Sequence, residues 1–240
     1  SNSEMQFIGK VNTAQTLNSQ TQATDFNMRY SLLIGGADKL GFELAVRPTT
    51  DQTTATNSNT EARLALNYSQ SLDTSAKLFY IGTYKNHAWG SQTALSYSAG
   101  NLGINYQKEL NETQNLLLNA AYGYQEANMG ANVFSDLKVG AVLVRNISGD
   151  KSLTTKYNFS GRNYPNINTN TFTKNELALS YAFRKFTTDL GLILNRATNN
   201  ASNSYLDLQF SPRFIIKVAD ATELKLNGGL LARQFDNANS

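Results

Sequence analysis

The stretch 26–46 (FNMRYSLLIGGADKLGFELAV) shows the pattern that recurs along this chain. Its first half places an apolar residue at every second position, namely Phe26, Met28, Tyr30, Leu32 and Ile34. Residues 35–39 then turn the chain, and the alternation resumes at Leu40, Phe42, Leu44 and Val46. A period of two is typical of a β-strand with one apolar and one polar face. The stretch therefore predicts two antiparallel strands joined by a short turn.

The same alternation predicts strands along nearly the whole sequence. It recurs at 5–11, 62–68, 116–124, 137–143, 153–159, 177–183, 206–216 and 224–230, with a polar loop expected around 17–23. The stretch 89–107 fits either one long strand with a bulge near 98–100 or two strands joined there, and we favour the long strand. The first choice gives about 13 strands and the second about 14. We predict a single all-β domain over residues 1–240, with about 12–14 antiparallel strands in up-and-down order.

The connections between these strands fall into two classes. Short turns recur in YSQSLDTSAKL (68–78), YQKELNETQNL (106–116) and IKVADATELKL (216–226). Longer connections rich in Asn, Thr and Ser lie at 125–134, 163–173 and 197–204. Short turns at one rim and long polar loops at the other are typical of bacterial outer-membrane barrels.

Two architectures can accommodate strands with one apolar face. A soluble sandwich would bury those faces between two sheets, whereas a barrel in lipid would expose them to acyl chains. Charged residues make up 16% of the chain, below the roughly 25% of soluble domains. The strands also lack the fully apolar character of central strands in a large soluble core. These features favour the barrel, and the absence of cysteine agrees with export.

From residue 5 to residue 235 the sequence resembles Gram-negative outer-membrane β-barrels of the porin-like kind. The resemblance rests on the alternation, the two loop classes and aromatic residues at strand ends: Tyr68, Tyr84, Tyr106, Tyr124, Tyr157, Tyr181 and Phe214. It implies a transmembrane barrel in the bacterial outer membrane, in contact with membrane lipid and lipopolysaccharide. Such chains usually end on an aromatic residue, whereas this one ends in Asn237-Ala238-Asn239-Ser240, which predicts a truncated C-terminus or a missing closing strand.

The polar parity of such a barrel would line its lumen. The residues expected to face the lumen and bind solute are Arg29, Arg47, Arg63, Lys77, Lys138, Lys156, Arg184, Arg213 and Arg233. The acids on the same parity are Glu43, Asp136, Glu176 and Asp207. An excess of cations in a narrow channel concentrates anions, so we predict passive or selective passage of small anionic solutes. A second interpretation is that these charges pair with one another and fill the interior.

The sequence is also compatible with functions other than a channel. The chain could instead be a barrel subunit of an export or surface complex, a homo-oligomer, or a surface-binding barrel acting through its long loops. His87 is the single histidine and falls in a predicted loop at 85–87, so a lipid- or peptide-cleaving barrel built around it is a third possibility. We expect no enzyme, because a hydrolase using His87 and the nearby Ser91 would also need a third orienting group and an oxyanion site, and neither is indicated. We also expect no catalytic residues, no metal, no cofactor and no nucleic-acid partner.

Overall fold

The computed structural model describes residues 3–16, 19–34, 38–51, 58–127, 133–166, 171–183, 186–197, 203–219 and 222–235. The strands are β1 (Ser3–Thr16), β2 (Ser19–Ile34), β3 (Asp38–Asp51), β4 (Asn59–Ser71), β5 (Ala76–Trp89), β6 (Tyr97–Asn111), β7 (Gln114–Ala127), β8 (Phe134–Ser148), β9 (Lys151–Asn163), β10 (Phe172–Phe183), β11 (Phe186–Ala197), β12 (Tyr205–Ala219), β13 (Thr222–Asn227) and β14 (Leu230–Phe235). A short 3-10 helix, Thr93–Leu95, lies between β5 and β6.

The strands form a 14-stranded sheet in which β1 to β13 follow one another in chain order. Neighbouring strands are antiparallel from β1 to β5 and from β9 to β13, so the topology is up-and-down. The predicted fold class, an all-β antiparallel up-and-down barrel of about 12–14 strands, is confirmed in its strand content, strand order and strand number. Across the described ranges, no helix is long and apolar enough to cross a membrane.

β13 and β14 together occupy one position beside β12. β13 pairs with the second half of β12 and β14 with its first half, in one continuous register. The interruption falls at Gly228 and Gly229, opposite Pro212, which has no N–H to offer the ladder. The Gly228 N–H still donates to the Pro212 carbonyl at 3.0 Å. The last strand is therefore one strand with a break, as its alternation in the sequence predicts.

Two predicted boundaries are wrong. β5 ends at Trp89 and β6 runs unbroken from Tyr97, so there is neither one long strand from 89 nor a break at 98–101. The Trp89 N–H donates to Ser96 Oγ at 2.9 Å, which closes the connection between these strands. The loop expected around 17–23 is also shorter, because β2 begins at Ser19 and pairs with β1 through Thr16. Backbone pairing continues through this polar stretch although no apolar face marks it as a strand.

The two classes of connection are confirmed. From β2 onward, short connections at 35–37, 72–75, 112–113, 149–150, 184–185 and 220–221 alternate with longer ones at 52–58, 90–96, 128–133, 164–171 and 198–204. The connection between β1 and β2, at 17–18, is short although it belongs with the long set by alternation. Turns of this length join neighbouring antiparallel strands directly, which produces the up-and-down order.

The chain divides into two compact units. Unit 1 comprises residues 1–105, 121–136 and 164–166, and contains β1 to β5. Unit 2 comprises residues 106–120, 137–163 and 167–240, and contains β9 to β14. The single domain expected from the sequence stays a prediction.

In both units the apolar faces of the strands are exposed. Phe7 is 70% exposed and Phe26 56% in unit 1, and Leu208 is 51% exposed in unit 2. The buried hydrophobic residues of the described part are three alanines, Ala23, Ala65 and Ala76. A soluble sandwich would instead bury its large side chains between two layers. This distribution is the opposite of a sandwich core and agrees with the β-barrel fold.

Candidate functional site

The polar face of unit 1 carries a row of alternating charges. Directly paired residues of neighbouring strands share a face. Along one such row lie Lys10, Asp25, Arg47, Glu61 and His87, one from each of β1 to β5. Arg47 Nε lies 3.2 Å from Asp25 Oδ1, which links β3 to β2 across this row. The sequence analysis did not single out Asp25 and Glu61, because the strand register decides which residues lie opposite them.

A second ion pair lies on the same face, formed by two residues singled out from the sequence. Arg29 Nε is 3.4 Å from Glu43 Oε2, across the β2–β3 pair. The other Glu43 oxygen accepts a hydrogen bond from Asn27 Nδ2 at 3.2 Å. Both carboxylate oxygens are thus engaged, whereas the Arg29 side chain remains 54% exposed.

His87 lies in β5 and not in a loop, so the predicted loop at 85–87 is wrong. Lys85, His87 and Trp89 continue the strand alternation, and the polar composition of this end of β5 disguised it. The imidazole stacks on Trp89 with a centroid distance of 5.4 Å, and His87 Nδ1 lies 3.8 Å from Glu61 Oε2. Its Nε2 is buried with no hydrogen-bond partner in the described structure. Lys85 Nζ also contacts Glu61 Oε2, at 2.9 Å.

In unit 2 the predicted lumen residue Arg233 is held in a tight cluster. Arg233 Nε and Nη2 donate to the two oxygens of Asp207 at 2.7 and 2.8 Å. Asp207 is 1% exposed, and the Arg233 guanidinium lies 4.0 Å from the Tyr205 ring centroid. Bidentate pairing and stacking fix the guanidinium in orientation as well as in position. This cluster joins β14 to β12, so Arg233 has a structural role on the polar face.

The other predicted lumen residues lie apart from one another. They are Arg63 on β4, Lys77 on β5, Lys138 on β8, Lys156 on β9 and Arg213 on β12, each on the parity opposite the exposed leucines. Within the described part of the chain, no ion pair joins these five to a carboxylate. Arg184 lies outside the described residues. The eight described cations thus lie on the polar parity of their strands, some of them paired and some not.

The polar face of unit 1 also contains a cavity of about 500 Å³ near the β2–β3 connection. The charged residues lining it are Glu4, Arg29, Lys39 and Glu43. Gly41 lies between them in the row that pairs Ser31 with Gly41 and Gly41 with Asn67. Sequence reasoning missed Glu4 and Lys39, because one lies near the N-terminus and the other was assigned to a turn.

No protein family model and no curated protein matches this sequence. Among solved structures, LpxR from Salmonella typhimurium is similar to this chain at 9% sequence identity and a TM-score of 0.33. The match covers 79% of this chain and 86% of LpxR. LpxR is an outer-membrane β-barrel, and the antiparallel all-β sheet described above is consistent with such a barrel. A likeness of this extent assigns no activity to this chain.

The comparison does correct one expectation from the sequence. LpxR is an enzyme of the outer membrane, so the expectation that a chain of this kind is not an enzyme is contradicted. The expectation came from the lack of a third orienting group and an oxyanion site beside His87 and Ser91. The function proposed for this chain does not depend on a lack of catalytic activity.

Proposed function

We propose that this chain is a bacterial outer-membrane β-barrel that lets small polar solutes pass, with a preference for anions. The observation that carries the proposal is the reversed burial of the strands. Large apolar side chains are exposed on one parity, while ion pairs and polar residues occupy the other. Outer-membrane barrels have this distribution, with lipid against the apolar face and water against the polar face.

The charges of the polar face support the anion preference. Arg29, Arg47 and Arg233 are each balanced by a carboxylate. Arg63 and Lys156 belong to the cations with no carboxylate partner in the described structure. Unbalanced cations beside a low-dielectric wall raise the local concentration of anions. The pairing of the others makes the expected preference weaker than the sequence alone suggests.

Planar-bilayer recording tests this function. The purified full chain is folded in detergent and inserted into a bilayer under a KCl gradient. It should give steady conductance, with a reversal potential shifted from zero toward the equilibrium potential of chloride. Reversing two unbalanced charges, Arg63→Glu with Lys156→Glu, should move that potential toward potassium. The matched control is Arg233→Gln, which removes a balanced charge.

The result has two parts that can fail separately. Insertion of correctly folded protein without any conductance would refute the channel. Conductance with no ion preference, unchanged by the double reversal, would refute the role of the unbalanced cations and leave the channel. Lipopolysaccharide contact, a partner protein and homo-oligomerisation stay predictions.

A further inference from the structure

At Gly41, which has no side chain, the cavity on the polar face of unit 1 extends down to the backbone. A Cβ atom placed on Gly41 would lie 3.8 Å from the Asn67 carbonyl oxygen and 3.9 Å from Asn67 Cβ, which is ordinary contact. The missing side chain leaves room above the backbone, and flanking residues form the walls. A volume of about 500 Å³ is within the range of about 300–1,000 Å³ of small-molecule sites.

The cavity presents separate groups for a carboxylate and for an ammonium. Glu43 is already bound by Arg29 Nε and by Asn27, while the Arg29 side chain remains 54% exposed and so accessible to a ligand. Lys39 lines the same cavity and has no carboxylate partner there. Glu4, on β1, is likewise in no ion pair within the described part. Two cationic donors and one carboxylate are thus available to a ligand.

The cavity also contains apolar side chains that the sheet does not require. Phe79 pairs with Ser69, and Ile81 pairs with Asn67, so both lie on the polar parity of β5. Ile81 is 36% exposed. Apolar side chains on a water-facing surface contribute binding free energy when a ligand covers them.

We infer that this cavity is a binding site for a small zwitterion with an apolar substituent, such as an α-amino acid. Its carboxylate binds Arg29 and Lys39, its ammonium binds Glu4, and its substituent contacts Phe79 and Ile81. This inference rests on the proposed function in one respect, because a solute channel brings such molecules to the polar face. It adds a chemical class of bound solute, small zwitterions, which the anion preference does not specify.

Three probes of one shape test the charge requirement. Phenylalanine carries both charges, 3-phenylpropanoate only the carboxylate, and phenethylamine only the ammonium. Binding to the full chain in detergent micelles, measured by isothermal titration calorimetry, should be tighter for phenylalanine than for either other probe by roughly tenfold or more, the effect of one lost charge-assisted hydrogen bond. Equal affinity for the three probes, or no binding of phenylalanine, would overturn the inference.

Variants test the location. Gly41→Leu should fill the cavity and abolish phenylalanine binding, whereas Gly191→Leu, on the polar face of unit 2, should leave it unchanged. A Cβ at Gly191 also meets only ordinary contacts, the nearest at 3.6 Å from Gln209 Cβ, so both variants can fold. Phenylalanine binding that survives Gly41→Leu in a variant with normal heat-modifiable migration would place the site elsewhere and refute the inference.

Charge variants separate the two ends of the ligand. Arg29→Gln should weaken the binding of phenylalanine and of 3-phenylpropanoate alike. Glu4→Gln should weaken the binding of phenylalanine and phenethylamine and leave that of 3-phenylpropanoate unchanged. The opposite pattern, in which Glu4→Gln weakens the carboxylate probe and Arg29→Gln weakens the ammonium probe, would overturn the proposed orientation of the ligand. Binding is measured in micelles and conductance in bilayers, so the two proposals can fail separately. Conductance without phenylalanine binding would refute this inference alone. Phenylalanine binding without conductance would refute the channel alone.

Discussion

An arginine placed on the apolar face of β4 should be costly in a membrane. Leu64 lies near the middle of β4 (Asn59–Ser71), is 39% exposed, and shares a row with Leu44 and Tyr84. A strand of 13 residues rising about 3.3 Å each spans about 43 Å, so its middle lies within a hydrocarbon layer about 25 Å thick. Leu64→Arg would therefore place a guanidinium among acyl chains.

The expected cost follows from that depth. Arginine on the lipid face costs roughly 2–4 kcal/mol at the bilayer midplane. At 1.4 kcal/mol per factor of ten, the folding equilibrium constant falls by roughly 30- to 700-fold. In a soluble sheet the same exchange at an exposed position would change stability by about 0.5 kcal/mol or less. The two environments thus predict clearly different outcomes.

Thr83→Arg provides the matched control. Thr83 lies at mid-depth in β5 (Ala76–Trp89), on the polar face, directly opposite the small residue Ala65. An arginine there reaches water and the Glu43 carboxylate further along the same row. Its effect should stay within about 0.5 kcal/mol.

The assay is a denaturant titration of refolding into lipid vesicles, followed by heat-modifiable gel migration. The free energy of unfolding of each variant is compared with that of the unmodified chain. Leu64→Arg should lower the free energy of unfolding by at least about 1.5 kcal/mol more than Thr83→Arg. Equal effects of the two variants would refute the assignment of the leucine face to lipid.

Two further predictions concern the packing of the polar face. Asp207→Asn should release β14, so limited proteolysis should cut near Gly228 and Gly229, and the cut should be absent from the unmodified chain; equal resistance would contradict the role of the Arg233 pair. Gly140→Ala should destabilise the sheet by about 1 kcal/mol, because its Cβ would displace the Asn119 side-chain amide. Gly123→Ala, whose Cβ meets nothing closer than 3.7 Å, should have little effect on the unfolding midpoint, and an equal loss in both would contradict the steric explanation.

The faces of the strands could be predicted from the sequence because their side chains alternate with a period of two. Leu64 and Arg63 must point to opposite faces in any strand, so the exposed leucines and the cations of the polar face follow directly. The short turns could also be predicted, because Asn, Asp and Thr stabilise tight connections through their own side chains.

Contacts that depend on register could not be predicted. Arg47 pairs with Asp25 because β2 and β3 align them, and nothing local to either residue indicates the other. The cavity likewise needs Glu4, Gly41 and Phe79 brought together from three strands. His87 was misplaced for a different reason: the polar end of β5 has the composition of a loop but is held in the ladder by its pairing with Glu61.

The most direct test of the account is lipid contact along β4, residue by residue. The chain has no cysteine, so single variants Arg63→Cys, Leu64→Cys, Ala65→Cys and Leu66→Cys can each carry one fluorophore. In vesicles whose acyl chains carry nitroxide, we expect strong quenching at positions 64 and 66 and weak quenching at 63 and 65. Uniform quenching, or quenching with the opposite parity, would contradict the assignment of the apolar face to the membrane.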